Sequence, residues 1–445
     1  MSVDAAAGAM PAEPAQSSVT SSQLFDRPTR RQFLASISAS AAGLGSSAAA
    51  FRQQPARPRI AAIVTVYTHN SHADVIASRL LQSYTLDGLG PRPNLELVSV
   101  YADQTPEGDL SRPLAKKYGF RLSPTIRDAL TLGGKELAVD GVLLIGEHGK
   151  YPANDKGQTL YPRRRFFAET VDVMRESHRV VPIFSDKHLS AAWEDAKWMY
   201  DTARELKIPL MAGSSLPLLW RKPPIDVTKG ARLSEMVAVS YHTLDAYGFH
   251  ALEMVQCLAE RRGTGETGLS AVQCLDGPEV WKAAEQGRFD RRLMDAALER
   301  CEQKNRFKGR IEDAAKAPIG CFLEYRDGFK AAILTLNYAV GEWAVAWREA
   351  PSPDICATLF WTQEARPFGH FTFLVQGIER MMQTGRPTWP VERTLLTTGA
   401  LDALHTSKFQ GGKRVETPHL AISYQPSFEW KVPPPPPPGR PIQGQ

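Results

Sequence analysis

From Ile60 to Ala212 the sequence alternates short β-branched apolar runs with longer amphipathic stretches, and this alternation limits the fold more than any other feature. Strands are expected at Ile60–Val66, Leu95–Tyr101, Gly141–Ile145, Val181–Phe184 and Pro209–Ala212. Between them, Ala73–Tyr84 sets Val75, Ile76, Leu80 and Leu81 on one helical face. Leu110–Tyr118, Pro124–Leu132, Arg164–Glu176 and Ala191–Leu206 also read as helices. Strand–helix–strand units with right-handed crossovers make this half an α/β domain, a Rossmann-like doubly wound parallel sheet.

Past Gly213 the texture changes. Ala231–Tyr241 reads as a strand, and Gly248–Glu260 and Pro278–Arg288 as helices. Ile319–Tyr325, Lys330–Leu336, Ala344–Trp347 and Ile355–Trp361 follow as grouped strands, then helices at Phe371–Thr384 and Thr394–Ser407. Strands that cluster rather than alternate with helices predict an α+β domain with one large open, mostly antiparallel sheet. The expected organisation is a signal and linker over 1–58, a Rossmann-like domain over 59–213, a second domain over 214–424 and a Pro-rich tail over 425–445. Pro433–Pro438 should be extended and outside the core.

Composition excludes some classes. With 53 basic and 48 acidic residues in 445, charge is too evenly balanced for a nucleic-acid face. The densest basic run, Arg163–Arg165, reads as a solvated helix start. Five cysteines without CxxC spacing argue against a disulfide framework. Beyond the first fifty residues no apolar run approaches the ~20 residues of a membrane span, so the body is expected to be soluble.

Thr29-Arg30-Arg31-Gln32-Phe33-Leu34 precedes a weakly apolar Ala/Ser/Gly stretch ending in Ala48-Ala49-Ala50. Paired arginines, an apolar segment and a small-residue end resemble a twin-arginine signal. This implies export by the twin-arginine translocase, already folded, to the periplasm. Folded export also favours a cofactor or metal loaded beforehand.

Val181-Pro182-Ile183-Phe184-Ser185-Asp186-Lys187-His188-Leu189-Ser190, the helix ending Thr202-Ala203-Arg204-Glu205-Leu206 and Ile208–Gly213 resemble the strand, Glu-Lys-Pro turn, helix and strand of the Gfo/Idh/MocA family. Glu96–Tyr101, Leu114–Gly119 with Thr125–Leu130, Gly248–Glu253, Thr384–Pro387, Thr394–Ser407 and Gly411–Val415 resemble further parts of that family in the same order. The resemblance implies an NAD(P)-dependent oxidoreductase of carbohydrates or polyols, in which the second sheet closes the active site. Self-association through that sheet is a further expectation.

On this resemblance Lys187 and His250 match a catalytic lysine and histidine, and Asp245 stands one place before the expected acid at Ala246. Lys187 is expected to be solvent-accessible, ready to stabilise a developing alkoxide, and His250 to accept the hydroxyl proton. Candidate cofactor-binding residues are Thr68, Asn70, Ser71, Asp103 and Glu147. A Rossmann site uses glycines after the first strand for close approach of the pyrophosphate. Here no glycine occurs between Ile60 and Gly88, so Tyr67, Thr68 and Asn70 are expected to crowd that position and weaken NAD(P) binding. Independently of any family, His69, His72, His148, Asp186 and His188 fall at strand ends on one rim and are ligand types for a divalent metal, with His148, Asp186 and His188 the leading candidates. The polar loop Ala153–Thr159 is a candidate lid. Three functions stay open: an oxidoreductase, a dinucleotide-independent isomerase or lyase, and a non-catalytic carbohydrate-binding protein.

Overall fold

The structure, a computed structural model, describes residues 57–302 and 309–440. The expected signal therefore lies outside the described residues. The first half runs β1 (Arg59–Val64), α1 (His72–Leu81), β2 (Glu96–Ala102), α2 (Ser111–Tyr118), β3 (Arg121–Leu122), α3 (Ile126–Thr131), β4 (Gly141–Ile145), α4 (Arg163–Glu176), β5 (Ile183–Asp186), α5 (Trp193–Glu205) and β6 (Leu210–Gly213). Its six strands are all parallel in the order β3-β2-β1-β4-β5-β6. Strand order reverses beside β1, so a crevice opens over the carboxyl ends of β1 and β4. Burial on both faces explains why β1 and β4 read as unbroken apolar runs.

The second half contains β7 (Trp220–Lys222), β8 (Arg232–Ser240), α6 (Leu244–Ala259), β9 (Leu269–Asp276), α7 (Pro278–Glu285), α8 (Arg291–Arg300), α9 (Ile311–Ala314), β10 (Ile319–Tyr325), β11 (Lys330–Thr335), β12 (Trp343–Ala350), β13 (Cys356–Trp361), α10 (His370–Thr384), α11 (Val391–Phe409) and β14 (Val415–Glu416). Eight of these strands form one sheet, antiparallel except where β11 pairs with β8. β8 shows why the sheet is a core rather than a surface. Met236 and Ala238 pack on one face with α6 and α11, whereas Val237 and Val239 pack on the other with α7 and α8. The outer face of this sheet is thus covered by helices.

After the second sheet the chain returns to the first. Leu374, Val375, Ile378 and Met381 of α10 pack with Ile60, Ala62 and Val64 of β1. The Pro-rich tail has no regular structure but is tied down along its length. Trp430 Nε1 donates to Leu219 O at 2.9 Å, and Trp220 Nε1 donates to Pro434 O at 2.6 Å. Arg440 N donates to Arg366 O at 2.6 Å, and Arg440 also reaches Thr85 O.

Candidate active site

Two cavities meet at the carboxyl ends of the first sheet. The outer cleft, about 530 Å³, lies over β1, β2 and β4 and is lined by residues that include Thr68, Ser71, Gln104, His148 and Lys150. The inner pocket, about 430 Å³, lies between the two sheets and is lined by His72, Glu147, Lys187, Tyr247, His250 and His370 among others. Asn70 and His148 line both.

The loop after β1 does without glycine by two devices. Asn70 takes the left-handed conformation, φ 61°, which asparagine tolerates better than most side chains. Tyr67 does not crowd the cleft as expected: its ring is fully buried and its hydroxyl lies 2.9 Å from Ser78 Oγ. The Asn70 amide is also drawn aside, its Oδ1 accepting from Arg366 at 2.8 Å. Ser71 caps α1, its Oγ accepting from Asp74 N at 3.4 Å. Asp74 itself is buried, accepting from Asn70 N at 2.9 Å and Arg366 at 2.8 Å. Burial alone would raise its carboxyl, but the Arg366 contacts and the other hydrogen bonds outweigh this and lower it.

Asp103, at the end of β2, does not line the cleft. Its carboxylate accepts from Tyr101 and Tyr151 hydroxyls at 2.7 Å each and from Arg165. Gln104 occupies the rim instead, and its amide is clamped to the Lys150 backbone, accepting from N at 3.0 Å and donating to O at 2.9 Å.

The inner pocket is charged. Lys187 Nζ donates to Glu147 Oε1 at 2.8 Å, and Arg163 donates to Glu147 Oε2 at 2.7 Å. Burial would push the Glu147 carboxyl up, yet Lys187 and Arg163 hold it well below the ordinary carboxylate range. Two expectations are corrected here. Lys187 is 5% exposed rather than accessible, and Arg163 is buried as the counter-ion of Glu147 rather than solvated. Neither burial is visible in a linear sequence, since each depends on the partner carboxylate at the end of β4.

His250 packs its ring against Tyr247 and Trp343, and burial pushes its imidazole well below the ordinary value. Among the described residues its Nδ1 has no hydrogen-bond partner. Asp245 lies outside the pocket lining and accepts from Thr159 N at 3.2 Å and Thr159 Oγ1 at 2.7 Å. With Gln158 donating to Ala191 O at 2.6 Å and Lys156 paired to Asp402, the loop 153–159 is pinned to α6 and α11 and is no free lid.

The candidate metal ligands come together only in part, with His148 beside His72 at 5.2 Å between ring centroids. His72 Nδ1 meets Asp186 Oδ2 at 2.6 Å, whereas His188 faces away, its Nε2 accepting from Arg163 at 3.0 Å. Among the described residues no group of three or more His, Cys, Asp or Glu side chains is placed to hold a metal ion. The buried His370, the ionic role of Arg163 and the pairing of His72 with Asp186 are site features that sequence spacing did not single out. The partners of His72 and Arg163 lie 114 and 16 positions away, and the burial of His370 depends on elements packed around it, so no local signal exists for them.

Backbone strain gathers at the inner pocket. Of the ten non-glycine residues with positive φ among those described, five (Asn70, His148, Lys187, His242 and Phe368) line it. Such conformations cost of order 1–3 kcal/mol each and persist where surrounding structure imposes them, typically at functional sites.

No family model matches the sequence, and no curated protein matches it. Solved structures do. GenD2 from gentamicin A biosynthesis, in complex with NAD, superimposes with a TM-score of 0.52 at 14% identity, over 81% of this chain and 96% of that one. A probable dehydrogenase from Thermotoga maritima (TM-score 0.49, 12% identity, 81% and 99% covered) and apo scyllo-inositol dehydrogenase from Lactobacillus casei (0.49, 11%, 81% and 98%) are more distant in shape. The structural neighbours are dehydrogenases of the Gfo/Idh/MocA type, and this chain has their two-domain fold.

Proposed function

We propose that the chain is an oxidoreductase acting at a hydroxyl-bearing carbon of a carbohydrate or polyol. The observation that carries this reading is the continuity of the two cavities through Asn70 and His148. A long ligand lying across the ends of β1, β2 and β4 would reach the Lys187–Glu147 pair at its inner end. The outer cleft fits a nicotinamide dinucleotide in place and in backbone shape, because Asn70 supplies the left-handed turn and Tyr67 is turned away. Thr68, Ser71 and Gln104 would hold it, with neutral groups replacing the usual glycine cradle and ribose-binding acid. When bound, such a dinucleotide supplies the hydride acceptor.

The chain's own residues supply orientation and charge. Glu147 remains ionised, so it fixes the direction of the Lys187 ammonium, which is then available to a substrate oxygen as negative charge develops. His250, its imidazole pushed well below the ordinary value by burial, lines the same pocket. The test is calorimetry with NAD and NADP, followed by nicotinamide absorbance in the presence of a panel of sugars and polyols. Binding and reduction are expected; neither occurring with either dinucleotide would sink the reading.

One observation favours a second reading, a dinucleotide-independent isomerase or lyase. The Asp103 carboxylate is already spent on two tyrosines and Arg165. Sugar epimerisation without added or co-purified dinucleotide would select it. For localisation we propose folded export to the periplasm, supported by Arg30-Arg31 and the small-residue stretch that follows. Arg30→Lys with Arg31→Lys should retain the protein in the cytoplasm, and periplasmic recovery of that double variant would reject the export reading.

A further inference from the structure

His72 opens α1 and Asp186 closes β5, 114 positions later, yet their side chains meet at 2.6 Å. Both are fixed. Ser71 caps the helix that carries His72, and Asp186 is paired in register with Gly213 of β6. Asp186 is 1% exposed, and among the described residues its second oxygen has no partner. A carboxylate only accepts hydrogen bonds, so we assign the Nδ1 proton of His72 to the contact with Asp186, which leaves Nε2 as the nitrogen that faces other partners. Phe371 packs edge-on against the imidazole at 5.3 Å and His148 lies tilted beside it at 5.2 Å, which holds the ring plane.

The other groups that share this pocket are less suited to taking a proton. Lys187 is committed to Glu147, and Glu147 also accepts from Arg163. His148 and His370 are pushed down by burial to about 4 and about 3, and His250 is pushed well below its ordinary value. Neither His250 nor His370 has a carboxylate on its Nδ1, which in both is without a partner among the described residues. An imidazolium formed there would lack a counter-charge, whereas one formed on His72 would have Asp186 in direct contact.

We infer that His72 is the catalytic base of this site and that Asp186 is its positioning residue. This rests on the oxidoreductase reading and sharpens it. The substrate O–H bond breaks, the proton passes to His72 Nε2, and the electron pair stays on the oxygen beside the Lys187 ammonium. Oxidation of the adjoining carbon then requires the nicotinamide-class acceptor named above.

Two kinds of measurement test the assignment. With a sugar or polyol found to be oxidised by the wild type, His72→Gln should lower kcat by about 100-fold or more, in the range general bases supply, with KM changed little. Asp186→Asn should lower kcat by roughly tenfold, and added imidazole should restore part of the activity of His72→Ala. A residue with only a structural role would show no imidazole rescue. Undiminished kcat in His72→Gln, or no rescue in His72→Ala of wild-type melting temperature, overturns the inference. The second measurement needs no substrate: diethyl pyrocarbonate labelling of the whole protein, followed by peptide mapping, reads the basicity of each imidazole. His72 should label faster than the exposed His69, and Asp186→Asn should slow His72 alone. If no sugar or polyol is oxidised, the oxidoreductase reading fails and the labelling still decides the pair. His72 unreactive, or equally reactive in both proteins, overturns it.

Discussion

The outer cleft and the inner pocket share a wall but are built on opposite principles. The cleft is open, and apart from the exposed Lys150 the polar groups described in it are already held: Ser71 by its helix, Gln104 by the Lys150 backbone, Asn70 by Arg366. The inner pocket holds buried charge, imidazoles kept neutral, and half of the strained non-glycine backbone among the described residues. A surface of the first kind recognises a ligand by shape and hydrogen bonds at little cost to stability. One of the second kind stores unfavourable conformations and desolvated charge, and its parts stand or fall together.

On that contrast the largest effect should come from Lys187→Met. Removing the ammonium leaves Glu147 buried against Arg163 alone, and breaking such a pair typically costs about 3 kcal/mol. Urea unfolding should show this loss, and Glu147→Gln in the same chain should recover much of it. A loss below about 0.5 kcal/mol, the surface range, would erase the distinction between the two regions.

His370 should give the next effect, as a dependence on pH. Burial depresses its imidazole to about 3, whereas an unfolded histidine titrates near 6.5. The unfolded chain therefore binds a proton that the folded chain refuses. The stability contribution is complete above about pH 6.5 and is lost as pH falls toward about 3, at up to roughly 1.4 kcal/mol per pH unit. His370→Asn should flatten that slope by one proton between about pH 6 and about pH 4. An unchanged slope would mean that the folded protein charges His370 freely.

Asn70 tests the seam between the regions. Alanine and glycine both lose the amide bond to Arg366, so their difference isolates the left-handed backbone. Asn70→Ala should be less stable than Asn70→Gly by about 1 kcal/mol, by thermal or urea unfolding. Gln104→Ala, in the outer cleft, should move stability by no more than about 0.5 kcal/mol. A greater loss would show that the clamp to Lys150 holds the fold as well as the rim.

The parallel sheet was legible because its signal is local. β1, β4 and β5 are apolar runs between helical stretches, and period alone separates them. β9 was missed because Ser270 and Gln273 interrupt its apolar pattern, and its pairing with β10 exists only after folding. α8 was missed for its charge, since its inward stripe is only Leu293, Met294 and Ala297. At the site, Glu147, Lys187 and Asp186 were recognisable from their places at strand ends. Their pairings were not, because Lys187 meets a carboxylate 40 positions away and Asp186 an imidazole 114 positions away. The same reason explains why Arg163 was read as solvated and Tyr67 as intruding on the cleft.

The docked tail sets an order of events. A chain is made from its amino end, so Arg440 leaves the ribosome after every other described residue. Arg440 bonds to the backbone of Arg366, and Arg366 in turn grips Asn70 and Asp74 at the start of α1. Every strand of both sheets precedes that clasp in the chain. The clasp is therefore the last contact added around the loop that joins cleft to pocket, and a nascent chain holds every strand of the scaffold before it holds this contact.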